Sequence, residues 1–258
     1  MRIGFVGAGR IGRPMVGRLL AAGHEVRVLG RTKEKRAALA AEGVTAAGDL
    51  TGVAEGAEAV LVCVYTDEQV RAVCLDDELI GALPAGATVV VHTTGSPRTV
   101  ELIAARGVEV VDAPVSGGPP DVAAGRITLL VGGPESAVAR MRPILGCYGD
   151  PVLHLGPLGA GQRVKLINNA VFAANIGLLR EAVRLAGELG VAEESLLAAL
   201  PHGSAASRAL TAVAGRGSVA AFTEAVSEFL VKDVAVTRAV AGGLGADLGV
   251  LDQAIDVR

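Results

Sequence analysis

The feature that most constrains the fold is a set of short apolar runs that alternate with helical segments. The runs are continuously apolar and rich in Val, Ile and Leu: RIGFV, EVRVL, AVLVCV, TVVVHT, VEVVDA and ITLLVGG. Strands of this kind are buried on both faces, which is typical of a parallel sheet covered by helices. Between them lie helical stretches such as RIGRPMVGRLLAAG, which end at Gly. The pattern predicts an α/β domain of the Rossmann type with a doubly wound parallel sheet.

The second half of the chain has no strand signals and is predicted to be an all-α domain. A Gly/Pro-rich hinge, GPLGAG, lies at the transition, so we predict a dinucleotide-binding domain over residues 1–158 and a helical domain over residues 159–258. The helical domain begins with a long helix, predicted from Arg163 to Leu189. One side of this helix is predicted to be a buried seam of residues spaced three and four apart. The seam residues are Val164, Ile167, Val171, Ala174 and Leu178.

The opposite side of the long helix is apolar as well. It carries Leu166, Ala170, Ala173 and Gly177. A helix that is apolar almost all round is normally buried, here inside an assembly. We therefore predict a homodimer or homotetramer formed through the helical domain.

The composition excludes several classes of function. A net charge of −3 gives no general attraction to nucleic acid, and 2% aromatic residues leave little to stack on bases. The four histidines lack ligand spacing and the three cysteines form no C-x-x-C pair, so we predict no metal site. The longest uncharged run, Leu166 to Leu179, is shorter than the roughly 20 residues that span a bilayer. We predict a cytoplasmic protein that binds neither membranes nor nucleic acid and acts on a small molecule.

A glycine-rich turn follows the first predicted strand. Gly7, Gly9 and Gly12 stand in G-x-G-x-x-G register between that strand and the next helix. In this position the first Gly permits a tight turn, the second lets the backbone approach a pyrophosphate, and the third allows close packing of the helix. The helix N-terminus also favours negative charge. The turn predicts dinucleotide binding by Gly7, Ala8, Gly9, Arg10, Ile11 and Gly12.

The end of the second predicted strand indicates which dinucleotide is bound. An NAD site usually has Asp or Glu there, which accepts hydrogen bonds from the ribose 2′-OH. This chain has Gly30, then Arg31 and Thr32. Arg can pair with a phosphate through two hydrogen bonds, and Thr can donate to one. We predict a preference for NADP(H), with NAD(H) possible; the other interpretation is a solvated basic helix start.

Four motifs in order resemble the β-hydroxyacid dehydrogenase family, a group that includes 3-hydroxyisobutyrate dehydrogenase, tartronate semialdehyde reductase and glyoxylate/succinic semialdehyde reductase. They are the N-terminal GFVGAGRIGRPM, DAPVSGG at 112–118, GAGQRVKLINN at 159–169 and KDV at 232–234. The resemblance covers nearly the whole chain. It implies an NAD(P)-dependent oxidoreductase that transfers a hydride between the nicotinamide and a short β-hydroxyacid or its semialdehyde.

The resemblance also implies the catalytic residues. Lys165 corresponds to the family's catalytic lysine, which acts as general acid in reduction and general base in oxidation. Asn169 corresponds to the asparagine that orients the substrate, and its spacing of four residues places it on the same helix face as Lys165. Lys232 matches a lysine that reaches the substrate and cofactor from the second domain, and Asp233 is expected to fix the local helix.

The DAPVSGG motif is implied to bind the substrate carboxylate. Its Ser116 hydroxyl and the backbone N–H groups of Gly117 and Gly118 form a small nest for an anion. The other interpretation is an ordinary Gly turn between strands. Additional cofactor contacts implied by the resemblance are Tyr65, Thr66 and Thr94.

Two features depart from the family pattern. Pro119, Pro120 and Asp121 follow the carboxylate nest where the family more often has a small, flexible run, so Asp121 is expected either to repel a second carboxylate or to recognise an amine. The chain also ends at Arg258, earlier than family members usually do. We therefore expect that one or two closing helices follow in the whole protein.

Three other functions share part of this pattern. An imine reductase has the same architecture but typically replaces the catalytic lysine. A 6-phosphogluconate dehydrogenase has a longer second domain and more phosphate-binding groups. A non-catalytic sensor that binds NADP(H) characteristically loses the lysine. The presence of Lys165 therefore favours the dehydrogenase over the imine reductase and the sensor.

Overall fold

The computed structural model describes residues 1–76 and 78–255. The chain divides into two compact units, Met1–Lys165 and Leu166–Arg258. The final residues of the predicted helical domain, 256–258, lie outside the described residues. The boundary between residues 158 and 159 stays a prediction.

The first unit is built on a six-stranded parallel sheet. Its strands in chain order are β1 (Arg2–Val6), β2 (Glu25–Leu29), β3 (Thr45–Ala47), β4 (Ala59–Val62), β5 (Thr88–Val91) and β6 (Glu109–Asp112). The spatial order β3-β2-β1-β4-β5-β6 is that of a doubly wound Rossmann sheet and confirms the predicted fold class. The strand order reverses between β1 and β4, so a crevice forms at the carboxyl ends of these strands, where ligands bind in such folds.

Helices cover both faces of this sheet. They are α1 (Gly12–Ala21), α2 (Lys33–Ala41), α3 (Leu50–Ala54), α4 (Asp67–Arg71), α5 (Leu79–Ala82) and α6 (Pro97–Ala104), with a π-helical turn at Ala72–Asp76. Successive side chains of a strand enter different cores: Phe5 belongs to one buried cluster and Val6 to the other. Burial on both faces explains why the strands are continuously apolar.

The run ITLLVGG was assigned to the wrong sheet. It forms β8 (Ile127–Val131), which pairs antiparallel with β7 (Val115–Ser116) and parallel with β9 (Gly149–His154) in a separate three-stranded sheet. The sixth place in the parallel sheet belongs to β3, which the apolar pattern did not predict. The helices α7 (Pro119–Ala123) and α8 (Glu135–Leu145) bury β8, so its sequence resembles that of a central parallel strand.

The described residues of the second unit form helices joined by turns, without a strand. The helix α9 (Ala160–Glu188) begins in the first unit and continues into the second, and its 29 residues span about 43 Å at ~1.5 Å per residue. It is followed by α10 (Glu193–Ala199), a 3₁₀ turn (Leu200–His202), α11 (Arg208–Ala214), α12 (Val219–Gly243) and α13 (Val250–Ala254). The core of this unit contains Ala170, Ala173 and Ile176 of α9, Leu210 and Val213 of α11, and Leu230 and Val234 of α12.

The predicted seam on α9 lies on the face that its own chain leaves exposed. Val164, Ile167, Val171 and Leu178 are 37%, 60%, 41% and 59% exposed, and only Ala174 of the seam is buried. The opposite side, with Leu166, Ala170 and Ala173, is the buried one. Within the single chain the seam is therefore not buried, because both sides are apolar and the sequence pattern does not show which of them packs against the same chain. Burial of the seam in an assembly stays a prediction. None of the helices in the described part of the chain is long and apolar enough to cross a membrane.

Candidate functional site

The glycine-rich turn after β1 is shaped by steric limits at two of its glycines. Gly7 has φ +100°, and a Cβ built on it would lie 2.2 Å from the carbonyl oxygen of Cys63 at the end of β4. A Cβ on Gly12 would lie 2.2 Å from the Gly7 carbonyl oxygen and 2.8 Å from the Phe5 ring. Only glycine fits at either position, because the strand, the turn and α1 approach one another so closely.

Gly9 lies in a different environment. A Cβ on Gly9 would have no atom within 4 Å, and the residue is exposed at the N-terminal end of α1. Its N–H donates to the Gly7 carbonyl at 2.8 Å, and its carbonyl accepts from the Arg13 N–H at 2.9 Å. Open space beside the start of a helix fits an approaching pyrophosphate. This open space is where the predicted dinucleotide contacts of the turn would lie.

The carboxyl end of β2 carries a cluster of positive charge. Arg31 is exposed and has no hydrogen bond or ion pair within residues 1–76 and 78–255, while the Thr32 hydroxyl caps α2 by accepting from the Lys35 N–H at 3.2 Å. Sequence reasoning missed Arg36, whose Nη1 donates to the Gly30 carbonyl at 2.9 Å. A Cβ on Gly30 would lie 2.7 Å from Arg36 Cγ, so the two residues fit together. The basic run RTKEKR contains Arg36, but it does not show that this side chain turns back onto the strand.

The segments that follow β4 and β5 are joined by Asp67. Thr66 caps α4 by accepting from the Gln69 N–H at 3.3 Å, and exposed Tyr65 donates its N–H to Gln69 Oε1 at 2.8 Å. Asp67 then accepts from the Ser96 N–H at 3.0 Å and the Thr99 hydroxyl at 2.6 Å. The segment containing Tyr65 and Thr66 is therefore held against the segment containing Thr94.

The DAPVSGG turn is less open than predicted. Ser116 lies in β7 and is half-buried, and Gly117 has φ +133°. The Gly118 N–H, however, donates to Asp121 Oδ2 at 2.8 Å. This donor was predicted to bind the substrate carboxylate, yet the chain's own carboxylate already occupies it. Only the Ser116 hydroxyl and the Gly117 N–H stay as predicted anion donors.

The first turn of α9 is fixed within the first unit by two buried polar side chains. Asp112, at the end of β6, accepts from the backbone N–H groups of Gly159 and Gln162, both at 2.7 Å. Burial raises the pKa of Asp112, and these two donors oppose that effect. The Gln162 side chain accepts from the Gly95 N–H at 2.9 Å and donates to the Thr93 carbonyl at 2.8 Å. Lys165 follows on the same helix and is 9% exposed.

A second buried polar pair supports the strand ends. His92 follows β5, and its Nδ1 lies 2.7 Å from the carbonyl oxygen of Ala113, the residue after β6. Because a carbonyl only accepts, Nδ1 is the donor, and Nε2 then accepts from the Tyr148 hydroxyl at 2.9 Å. Burial lowers the pKa of His92 to about 4, although the bond to Ala113 raises it. His92 is therefore neutral at pH 7, in a tautomer that matches both partners.

Two other predicted residues share one partner in the second unit. Asn169 Nδ2 donates to Asp233 Oδ2 at 2.8 Å, and Lys232 Nζ lies 3.2 Å from Asp233 Oδ1. The geometry of the second contact is that of an ion pair without a hydrogen bond, since Oδ1 accepts none among the described residues. Asp233 therefore orients the side chain of Asn169, and it does so across two helices of that unit, α9 and α12.

Comparison with known protein families covers both units. The family model described as "NAD binding domain of 6-phosphogluconate dehydrogenase" matches residues 2–156. The model described as "NAD-binding of NADP-dependent 3-hydroxyisobutyrate dehydrogenase" matches residues 159–257. The chain thus carries an NAD(P)-binding domain and uses a nicotinamide cofactor.

Individual relatives agree with these matches. A 3-hydroxyisobutyrate dehydrogenase of Pseudomonas aeruginosa is 36% identical over 73% of this chain and 64% of its own length. An NAD-dependent L-serine dehydrogenase of the same organism is 34% identical over 71% of this chain and 63% of its own length. The alignments therefore span less than two thirds of either relative.

A solved structure matches over a larger share of the chain. The 3-hydroxyisobutyrate dehydrogenase of Mycobacterium tuberculosis, solved with L-serine, has a TM-score of 0.88 at 28% identity, covering 99% of this chain and 91% of that protein. The fold of this chain is therefore similar to the fold of that protein over nearly its whole length. On these matches, the chain belongs to the β-hydroxyacid dehydrogenase family.

Proposed function

We propose that this protein is an NAD(P)-dependent dehydrogenase that acts on the hydroxyl group of a short β-hydroxyacid, or in reverse on its semialdehyde. The observation that carries the proposal is the setting of Lys165. Lys165 is buried, and it stands on a helix whose first turn is bonded to Asp112 and to the Thr93–Gly95 segment. A lysine beside apolar helix is more often exposed with its stem along the surface, which is not the arrangement here.

Lys165 is proposed to move the proton at the reacting oxygen. When bound, the nicotinamide cofactor supplies or accepts the hydride. Lys165 donates a proton to the oxygen during reduction and removes one during oxidation, as general acid–base chemistry requires. The Ser116 hydroxyl and the Gly117 N–H are proposed to hold the substrate carboxylate. The family resemblance extends the proposal to Asn169 as an orienting residue and to Lys232 as a further contact.

Replacement of Lys165 tests the proposal. Lys165→Ala is expected to lower kcat by roughly 10²–10⁴-fold, because one general acid–base group is lost. Lys165→Arg is expected to be nearly as slow, since a guanidinium keeps the charge but does not release its proton. Arg163→Ala is the matched control, because Arg163 is an exposed cation on the same helix turn, paired with Glu101. Near-normal turnover in Lys165→Ala would refute the proposed role.

The substrate is proposed from the chemistry of the site and from the relatives. A hydroxyl donor and one free glycine N–H suit a single carboxylate, and the names of the relatives point to 3-hydroxyisobutyrate and L-serine as first probes. Oxidation of either is followed as NAD(P)H absorbance at 340 nm. A protein that binds the cofactor tightly but turns over neither these acids nor a panel of short semialdehydes would be a sensor rather than an enzyme.

NADP(H) is the proposed cofactor, in preference to NAD(H). Gly30 leaves no carboxylate for the ribose hydroxyl, and Arg31 and Arg36 bring positive charge to the same strand end. Arg31→Ala is expected to weaken NADPH binding by roughly 10–100-fold, the effect of one hydrogen bond to a charged group. Binding of NADH, measured in parallel by fluorescence titration, is the internal control. An equal loss for both cofactors would contradict the assignment of Arg31 to the 2′-phosphate.

A homodimer or homotetramer is the proposed assembly, and the exposed stripe of α9 is the proposed contact surface. Ile167, Val171, Leu178 and Leu185 recur along this stripe, Leu189 follows directly after the helix, and all five are exposed within the chain. A contiguous apolar surface of this kind marks an interaction site. Replacement of Ile167 and Leu178 by Glu is expected to give a smaller species in analytical ultracentrifugation. An unchanged mass would exclude this surface as the contact between subunits.

The cytoplasmic location stays a prediction.

A further inference from the structure

We infer that Gln162 is a positioning residue, which sets the place of Lys165 by joining the first turn of α9 to the segment after β5. The inference rests on the proposed function of Lys165. Gln162 itself is not proposed to contact the substrate or the cofactor. Its amide is 1% exposed, so its hydrogen bonds are made out of contact with water.

The side-chain amide of Gln162 binds the Thr93–Gly95 segment through both its oxygen and its nitrogen. Its Oε1 accepts from the Gly95 N–H at 2.9 Å, and its Nε2 donates to the Thr93 carbonyl at 2.8 Å. The two contacts lie on either side of Thr94, which is a proposed cofactor residue. A buried amide whose two ends are both paired fixes one orientation, since any rotation leaves a buried polar group without a partner.

The backbone of the first turn of α9 is also restrained from sliding along the helix axis. Asp112 accepts two backbone N–H groups there, from Gly159 and Gln162. A Cβ on Gly161 would lie 2.2 Å from the Leu130 carbonyl oxygen, and a Cβ on Gly132 would lie 2.8 Å from the Gly161 nitrogen. The helix start therefore packs backbone against backbone, and its remaining freedom is a small tilt or rotation that Gln162 opposes.

Lys165 lies three residues after Gln162, on nearly the same side of the helix. Both side chains are buried, whereas the intervening Arg163 and Val164 are exposed. A shift of the Gln162 amide by a fraction of an ångström therefore moves the base of the lysine side chain by a similar amount. Misplacement of a catalytic group by about 1 Å can reduce turnover by about 10²-fold.

The segment that Gln162 holds is fixed from its other side as well. Asp67 accepts from Ser96 and Thr99, and a Cβ on Gly95 would lie 2.1 Å from Asp67 Oδ1. Because Asp67 restrains this segment independently, loss of Gln162 is expected to loosen the join to α9 without unfolding the segment. This difference separates a positioning role from a purely structural one.

The test is a double-mutant cycle between Gln162→Met, which keeps the shape but removes both hydrogen bonds, and Lys165→Ala. Gln162→Met alone is expected to lower kcat by about 10–100-fold with cofactor affinity unchanged. In the Lys165→Ala background the same replacement is expected to have no further effect, because the group that it positions is absent. Gln253→Met, at an exposed position of α13, is the control and should leave kcat unchanged.

Two further measurements complement the cycle, and the first of them does not depend on turnover. Amide hydrogen exchange of the cofactor-free protein should be faster at Gly95 in Gln162→Met and unaltered in Gln253→Met. Gln162→Glu retains the acceptor for Gly95, and when protonated it also donates to Thr93, so its activity relative to the unchanged protein should rise as the pH is lowered.

The possible outcomes are distinguishable. Equal losses from Gln162→Met in both backgrounds, or unchanged exchange at Gly95, would overturn the positioning role while leaving Lys165 as the catalytic group. Near-normal activity of Lys165→Ala would overturn the proposed function itself. A non-additive cycle with faster exchange at Gly95 supports the inference.

Discussion

The first unit contains two glycine turns, one after β1 and one after β7, and they differ in how far their backbone donors are open. In the turn after β1, Gly9 faces empty space, and a Cβ on it would have no atom within 4 Å. In the turn after β7, the Gly118 N–H is already bonded to Asp121, and a Cβ on Gly117 would lie 2.8 Å from the same carboxylate. Both turns have left-handed glycines, at Gly7 and Gly117.

The difference shows what a glycine motif can predict. It predicts the path of the backbone better than it predicts whether the backbone N–H groups are available to a ligand. The first turn is defined by contacts among backbone atoms, which the glycines themselves determine. The second depends on side chains that lie outside the motif: Asp121 occupies one donor, and His92 holds the Ala113 carbonyl. The first turn should therefore respond to steric changes, and the second to changes in charge and pH.

The largest expected effect separates two glycines within the first turn. Gly7→Ala places a Cβ 2.2 Å from the Cys63 carbonyl at a positive φ, and it should destabilise the fold by about 3–5 kcal/mol. Gly9→Ala meets no atom of the protein, so the free energy of unfolding should change by less than about 1 kcal/mol. Its methyl group instead enters the space proposed for the pyrophosphate, so cofactor affinity should fall. Urea denaturation and cofactor titration measure the two effects, and unchanged affinity in Gly9→Ala would place the phosphates elsewhere.

The next effect tests whether the second turn depends on pH. Burial lowers the pKa of His92 from its ordinary value of 6.5 to about 4, so protonation favours the unfolded chain. The stability associated with neutral His92 is complete above pH 6.5 and is lost as the pH falls toward 4, by about 3 kcal/mol in total. His92→Asn keeps a donor for the Ala113 carbonyl but does not titrate. The unfolding free energy of this variant, followed by urea denaturation from pH 7 to 4, should decrease less steeply.

His24 provides the comparison for that measurement. His24 also has a lowered pKa, mainly through burial, but it lies far from the second turn in sequence and is only partly buried. His24→Asn should therefore retain most of the decrease in stability between pH 6.5 and 4. If His92→Asn and the unchanged protein lose stability in parallel, His92 is not the group responsible.

The fold class and the first turn could be predicted because both depend on local pattern. The runs around Phe5 and Leu61 are apolar on both faces, and the spacing of Gly7, Gly9 and Gly12 is set by contacts over a few residues. The pattern could not assign β8 to its sheet, because a strand buried by α7 and α8 resembles one buried in the parallel sheet. It also could not choose the packed face of α9, since both of its faces are apolar.

The polar contacts of the site could not be predicted from the sequence, for a different reason. Gln162 bonds to Gly95 across 67 positions of the chain, and Asp112 bonds to Gln162 across 50. No local spacing predicts such pairs, although the motifs that contain Asp112 and Gln162 were recognised. Asp121 was noticed as unusual, but its contact with Gly118 was not expected, because the sequence does not say whether a carboxylate faces the substrate or the backbone.

The smallest expected effect decides what Asp121 does to the second turn. Asp121→Ala frees the Gly118 N–H and removes a negative charge, so KM for 3-hydroxyisobutyrate should fall by about tenfold, the effect of one hydrogen bond to a carboxylate. The KM for L-serine should fall by a smaller factor, because the ammonium group of L-serine also loses a carboxylate partner. Asp121→Asn, whose amide oxygen still accepts from Gly118, should show a smaller gain than Asp121→Ala, and Glu135→Gln at an exposed position of α8 controls for net charge. If KM for both acids is the same in all of these variants, Gly118 takes no part in binding the carboxylate, and the second turn is a structural turn only.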